Sequence, residues 1–412
     1  MHDIFKFRIS GPLRALWVWS LPCSLLLALA WAGLAAGKGA LIAPDFSSTW
    51  TAAKMAVEGK VAGLFSATGF QSEVRKHFHG DDHVRIFGYP PNMVVLIFPL
   101  GLLPYIPALI LWSLAGAGCL IAALRANRFC RLDAPALALA VLSPAAVYNL
   151  IFGNTGSFAA ALFLGGFYLC ESAPLAAGVL FGLLTVKPHL GILIPFALLL
   201  RRNWKCIASA GGTAAALTAA AWLLWGATPW QEYVEIGLPY HVGKLALVAE
   251  RSLDALMPGP YVDLAMMPGV PFPRLLYGAA ALFALFVSLA SVRREGISPR
   301  SVLILSLATL IISPYSFCYD MVTIMGALVV YLATLAEITL PVHLAFGLLW
   351  VLPGTLFLLK RVPLPLSSII LVAALACLHL ASRKQGAAAR VSQGSPDEKD
   401  SFLNACSLDR VD

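Results

Sequence analysis

Charge is scarce in this chain of 412 residues. Only 12% are Asp, Glu, Lys or Arg, about half of what a soluble globular domain carries. That scarcity, beside 59% hydrophobic residues, excludes a water-covered surface around a single core. Cysteine pairs are absent too: there are eight cysteines and no CxxC, and Cys23, Cys119, Cys170, Cys206, Cys318 and Cys377 fall in apolar stretches. This excludes a disulfide framework and leaves buried free thiols. No fixed-period repeat occurs, and basic residues are not interleaved with aromatics, so nucleic acid is not an expected partner. The polar stretch "RKHFHGDDHVR", 75–85, has neither zinc nor EF-hand spacing. It reads as a solvated loop, and no metal or other cofactor is expected.

What the chain has instead is long apolar runs. They fall near 16–36, 89–124, 132–150, 155–171, 174–200, 206–226, 274–292, 301–315, 320–336, 341–359 and 365–382. A bilayer crossing needs about 20 apolar residues, and lipid cannot satisfy a bare backbone, so these must be helices. The expected fold class is an all-α polytopic membrane protein. Two runs are too long for one straight crossing and carry internal prolines: Pro99, Pro104 and Pro107 in the first, Pro188 and Pro195 in the second. Proline removes a ladder hydrogen bond, and broken membrane helices often line a working cavity.

Five basic clusters orient the chain: Lys6, Arg8 and Arg14; Arg125, Arg128 and Arg131; Arg201, Arg202 and Lys205; Arg293, Arg294 and Arg300; Arg383, Lys384 and Arg390. Placing all of them inside satisfies the positive-inside rule with about twelve crossings. That reading counts 89–124 as one net crossing and 174–200 as two; the alternative swaps the counts and puts Arg125–Arg131 outside. The N-terminus begins like a signal peptide, but its apolar run is long and flanked by Trp17 and Trp19, which reads as an uncleaved first helix. Residues 1–382 then form one integral membrane domain with outer loops at 37–88 and 227–273, and 383–412 a disordered cytoplasmic tail.

Six stretches carry polar chemistry. "LIAPDFSSTW", 41–50, sets Asp45 at the lip of the first helix, ahead of a helix ending near Gly59. Asp45 is either a helix cap or a general base, since a carboxylate beside apolar surface is a stronger base than one in water. Tyr89, Pro90 and Pro91 form a rigid entry into the next run; the plain alternative is a helix start with an interfacial tyrosine. Gly153-Asn154 interrupts an apolar run, where an amide faces either a packed helix or a cavity. Lys187, followed by Pro188 and His189, lies deep in a broken run; it either snorkels to the surface or binds a phosphate as a point charge. Tyr319 and Asp320, in "ISPYSFCYDMV", open another helix on the side of Asp45, as cap or as site. In the sixth, 75–85, a metal site is set against the solvated loop.

In this order the stretches resemble glycosyltransferase family 87, bacterial membrane enzymes of the GT-C architecture. The resemblance runs over nearly all of 37–330: "APDF", "GYPPNMVVLIFPLGLLPYIPALILW", "GN", "AGVLFGLLTVKPHLGILIPF" with "RRNW", and "SPYSFCYD". It implies a GT-C-type fold with a large first periplasmic loop, and transfer of a hexose, typically mannose, from a polyprenyl-phosphate donor to a lipid or glycan acceptor. The reaction would run on the periplasmic face of the bacterial inner membrane, in cell-envelope glycolipid biosynthesis. Asp45 matches the family's base at the end of the first helix, with Asp320 a second catalytic carboxylate. Mannose-using relatives often show histidines where this chain has Tyr319 and Asp320. Lys187 is the first candidate for the leaving phosphate, with His189, Arg251 and Arg75 beside it; Tyr89, Pro90, Pro91, Asn154 and Tyr319 would line the cavity. Arg251 and Ser252 are also acceptor-site candidates. Two other classes fit the residues: a transporter or flippase of a lipid-linked or small polar substrate, built on the broken helices and the intramembrane lysine, and a surface-glycan polymerase or ligase.

Overall fold

The computed structural model describes residues 13–393 except 14, 15, 17, 19, 21, 28, 30–42, 79–85, 247–255, 268, 337, 338 and 363. The described residues are helical and contain no strand. Four helices are long and apolar enough to cross a membrane: Tyr105–Arg125, Trp204–Trp225, Pro273–Glu295 and Val342–Leu359. A fifth span results if Ala134–Val141 and Pro144–Phe152, bent by 53° at Ser143-Pro144, count as one. Seven further apolar helices have 10–17 residues. The chain is thus a multi-pass membrane protein whose runs of sequence are cut shorter than their apolar lengths.

Proline does most of the cutting. In 89–124 the ladder runs through Asn92–Ile97 and a 3-10 turn, Phe98–Leu102, then breaks where Pro104 is extended (φ −58°, ψ 155°). Only Tyr105–Arg125 of that run has spanning length. In 174–200 the helix Pro174–Leu183 tightens to a 3-10 turn at Leu184–Val186 and stops at Lys187. Lys187 stands at φ −128°, ψ 68°, outside the helical region, as a residue before proline should. Pro188–Gly191 and Ile194–Leu200 complete the run.

Long and short helices occupy different places. Trp204–Trp225 buries only Cys206 and Ala221, and its exposed Trp222, Leu223 and Leu224 face the lipid side. Pro299–Ile312 is buried from Arg300 to Ile311, and Val322–Ala333 along nearly all its length. The centre of the bundle is therefore built from short helices, walled by long ones. A second, aromatic-rich core lies beyond one end of it. There Phe46 and Trp50 of Pro44–Val57 pack with Phe65, Phe70 and Phe87 and with Val94 and Ile97. That layer sits close: a Cβ at Gly101 would come within 2.3 Å of the Ala53 carbonyl.

Three of the basic clusters, 125–131, 201–205 and 293–300, gather at the opposite end; Lys6, Arg8 and Arg14 lie outside the described residues. Arg128 and Arg201 both pair with Glu171, Arg201 at 3.4 Å, and Gly296 lies against the Arg201 guanidinium. The shared partner rules out the crossing count that puts Arg125–Arg131 and Arg201–Lys205 on opposite faces. The helix Gly156–Leu169 connects the two ends, from Asn154 to Glu171. The last helix, Leu366–Gln393, runs past residue 383, and its Ala- and Arg-rich continuation is good helix-forming sequence.

Candidate active site

Asp45 is not a cap. The N-cap of Pro44–Val57 is Ala43, in the left-handed region at φ 53°, with Pro44 and Asp45 in the first turn. Two bonds fix this entry: the Tyr105 hydroxyl and the Ser47 N–H both donate to the Ala43 carbonyl, each at 3.1 Å. The Asp45 carboxylate instead accepts from the Asn154 side-chain amide at 2.8 Å, from 109 residues away.

Gly153 makes this meeting possible. It closes Pro144–Phe152 at φ 66°, a conformation glycine adopts without penalty. A Cβ there would also come within 2.5 Å of Phe46 and 2.9 Å of Ala43, so a larger residue would push the Asp45 helix away from Asn154. The Trp112 indole N–H holds the Gly153 carbonyl at 3.1 Å. A cavity of about 70 Å³ borders this turn, lined by Asn154, Gly153, Trp112, Asn149 and Ser157 among others.

The amide of Asn154 has one possible orientation. Its oxygen accepts from the Thr155 N–H at 2.7 Å, the Thr155 hydroxyl at 3.2 Å and the Lys187 ammonium at 3.1 Å. Its nitrogen must then point at Asp45, since an amide nitrogen only donates. Lys187, 6% exposed, also donates to Asp320, 1% exposed, at 2.5 Å. The other Asp320 oxygen accepts the Phe317 N–H at 2.9 Å. Asp320 thus caps the turn Cys318–Met321 and pairs with Lys187. Tyr319 lies beneath the ammonium at 5.2 Å and stacks on Phe317 at 5.3 Å, while a Cβ at Gly156 would come within 2.4 Å of the Tyr319 carbonyl.

One hydrogen-bonded chain therefore joins Asp45, Asn154, Lys187 and Asp320, and Tyr89 reaches it through its hydroxyl, 3.1 Å from Thr155 Oγ1. Pro90 and Pro91 are buried behind Tyr89, and Pro91 is the N-cap of Asn92–Ile97. Lys187 does not snorkel; its ammonium is buried and met by Asp320 and Asn154. His189 stands across Pro188, its Nε2 buried with no hydrogen-bond partner among the described residues and its ring 6.1 Å from that of Tyr315. His241 packs on the other side of Tyr315 at 5.6 Å. Arg75 is exposed in the last turn of Ala67–His77. Arg251, Ser252, His79, Asp81, Asp82, His83, Trp17, Trp19 and the chain from 394 lie outside the described residues.

Sequence reasoning missed Thr155 and His241. Thr155 sits beside the flagged Asn154 and carried no signal of its own. His241 was hidden in the outer stretch 227–273, where hydropathy has no pattern to offer. The helix Leu238–Ala246 brings it over the site, near Gly88.

Residues 87–314 match the family model for glycosyltransferase family 87, a narrower span than 37–330. It includes Tyr89, Asn154, Lys187 and His189 and leaves Asp45 and Asp320 outside. No curated protein and no solved structure matches the chain.

Proposed function

Because the chain belongs to glycosyltransferase family 87, and is therefore a membrane glycosyltransferase, we propose that it moves a hexose from a polyprenyl-phosphate donor to a lipid or glycan acceptor, with Asp45 as general base. The observation that carries this reading is the bond from Asn154 to Asp45. A general base must be held in place and kept as the carboxylate. An amide N–H aimed at it, with no freedom to turn round, does both.

The lipid tail of the donor stays in the bilayer, so its phosphate and sugar meet the acceptor at the membrane end that holds Asp45. The acceptor hydroxyl gives its proton to Asp45 while its oxygen bonds to the anomeric carbon. The bond from that carbon to the phosphate oxygen breaks, and the electron pair leaves on the lipid phosphate. Attack opposite the leaving group inverts the anomeric centre. Donors aimed at the departing oxygen lower this barrier. In this reading the unpartnered His189 Nε2 is the first of them, with Arg251 and Arg75 from the outer segments. Lys187 reaches a phosphate only with what its bonds to Asp320 and Asn154 leave over, and acts chiefly as a positioning residue for Asn154. Asp320, with both oxygens engaged, serves Lys187 rather than the acceptor. Tyr89, Pro90, Pro91 and Tyr319 shape the surrounding wall. The domain would face the periplasm from the bacterial inner membrane, with residues 37–88 as its first outer loop.

The test is direct. Purified protein in lipid nanodiscs is incubated with a panel of polyprenyl-phosphate hexoses and an envelope glycolipid extract, and released polyprenyl phosphate is quantified. Release with one hexose, lost in Asp45→Asn, supports the proposal. Absence of release with every donor, or release unaffected by Asp45→Asn, overturns it.

A further inference from the structure

A second buried lysine–aspartate pair lies behind the site. Asp263, 4% exposed, belongs to the short helix Pro260–Ala265 in the outer stretch 227–273. Its carboxylate pairs with Lys360, which ends the helix Leu340–Leu359. It also accepts from the Ser367 hydroxyl at 2.7 Å, the Ser368 hydroxyl at 2.6 Å and the Ser368 N–H at 2.8 Å, all in the first turn of the last helix. The Gly259 N–H donates to Ser367 Oγ at 3.4 Å. The stretch 256–266 is thereby fastened to the turn between the last two helices.

Its other face touches the site. Met257 and Val262 form a small apolar cluster with Tyr261, Met266, Tyr315 and Phe317. Phe317 gives its N–H to Asp320 and its ring to Tyr319. Tyr315 stands between His189 and His241. A contact path therefore runs from Lys360 and Asp263 through Val262 and Phe317 to Asp320, Lys187, Asn154 and Asp45.

The chemistry of this fastening is informative. Removing two charges from water costs several kcal/mol per ion, and well-packed apolar residues often hold as firmly. A chain so poor in charge has placed one here, met by four donors. What a buried pair gives that an apolar contact does not is a single register, because only one docking brings all the donors to the carboxylate. We propose that Asp263 and Lys360 are positioning residues that set the register of 256–266 against Tyr315 and Phe317, and through Phe317 the placement of Asp320 and Lys187. This rests on the reading of the site given above.

The experiment has an arm that needs no turnover. Cys318 follows Phe317 and is fully buried; Cys170 and Cys206, also buried, lie toward the opposite end of the bundle. The full-length protein in nanodiscs is treated with a membrane-permeant thiol reagent, and labelling of each cysteine is followed by mass spectrometry. Lys360→Met should raise the Cys318 rate by about tenfold through local opening, leave Cys170 and Cys206 at wild-type rates, and be reversed by Lys360→Arg. Equal acceleration at all three cysteines would mean general loosening, and no change at Cys318 would mean that nothing is transmitted; either overturns the proposal. In the turnover arm, Lys360→Met should lower kcat by about tenfold or more, as a small misplacement of the machinery does, with the donor KM held and Lys360→Arg restoring the rate. An unchanged kcat in Lys360→Met overturns it. If the wild type releases no polyprenyl phosphate, the functional reading fails, while the labelling arm still decides whether the pair holds Phe317 in place.

Discussion

Two buried lysine–aspartate pairs, Lys187–Asp320 and Lys360–Asp263, are almost alike in burial and unlike in what surrounds them. Asp263 is closed off by serine and backbone donors, so its pair is neutral and complete. Lys187 continues outward to Asn154, and Asn154 to a second carboxylate. Two carboxylates from distant parts of the chain are thus joined through one ammonium and one amide. The pair closed on itself fits a fastening, and the one that goes on to a further carboxylate fits a site. Burial of charge alone therefore does not identify a site; what the network goes on to reach does.

The hardest break in this comparison comes at that end. Asp45→Asn keeps the shape and loses the base, so transfer should fall by about 10²–10⁴ while the protein melts near the wild-type temperature, as checked by single-turnover release and thermal denaturation in detergent. Cutting inside the first pair comes next. Lys187→Met leaves Asp320 buried without its cation, which should cost about 3–5 kcal/mol of stability. The double variant Lys187→Met, Asp320→Leu should regain most of that stability and none of the turnover, separating the pair's part in folding from its part in the reaction. Gly153→Ala sharpens the comparison from the backbone side. A side chain at φ 66° against Phe46 should cost about 1–3 kcal/mol and lower kcat with donor affinity held, in a steady-state titration. Smallest of all is the exposed contrast at the other end of the bundle: Arg201→Gln, breaking the pair with Glu171, should move stability by no more than about 0.2–1 kcal/mol and leave turnover unchanged.

The polar residues of the site were legible for one physical reason. A charge or amide inside an apolar run stands out, and Asp45, Asn154, Lys187 and Asp320 all did. The proline breaks were legible as well, because a missing N–H and a fixed φ act locally. Pairing was not legible: nothing in the order of the chain says that Lys187 meets Asp320 133 residues on, or that Asn154 turns its nitrogen toward Asp45. Lys360 carried no such signal, because with Arg361 it forms a short basic step between two apolar runs, as at any helix end near a membrane surface. The role of Gly153 was invisible, since a left-handed turn and a close approach look alike in sequence. At 89–124 and 174–200 the breaks fall beside the flagged prolines, at Pro104 and at Lys187 before Pro188.

The shortness of the central helices sets the depth of the reaction. Gly156–Leu169 has 14 residues, about 21 Å of rise, against a hydrocarbon slab about 30 Å thick. With its Glu171 end at the headgroups, its other end stops well inside the slab, and Asn154 and Thr155 stop with it. The layer of aromatic helices at that end would then form a collar around a well sunk below the lipid surface. A lipid-anchored donor of the kind proposed above would enter such a well from the side, with its tail still in the bilayer.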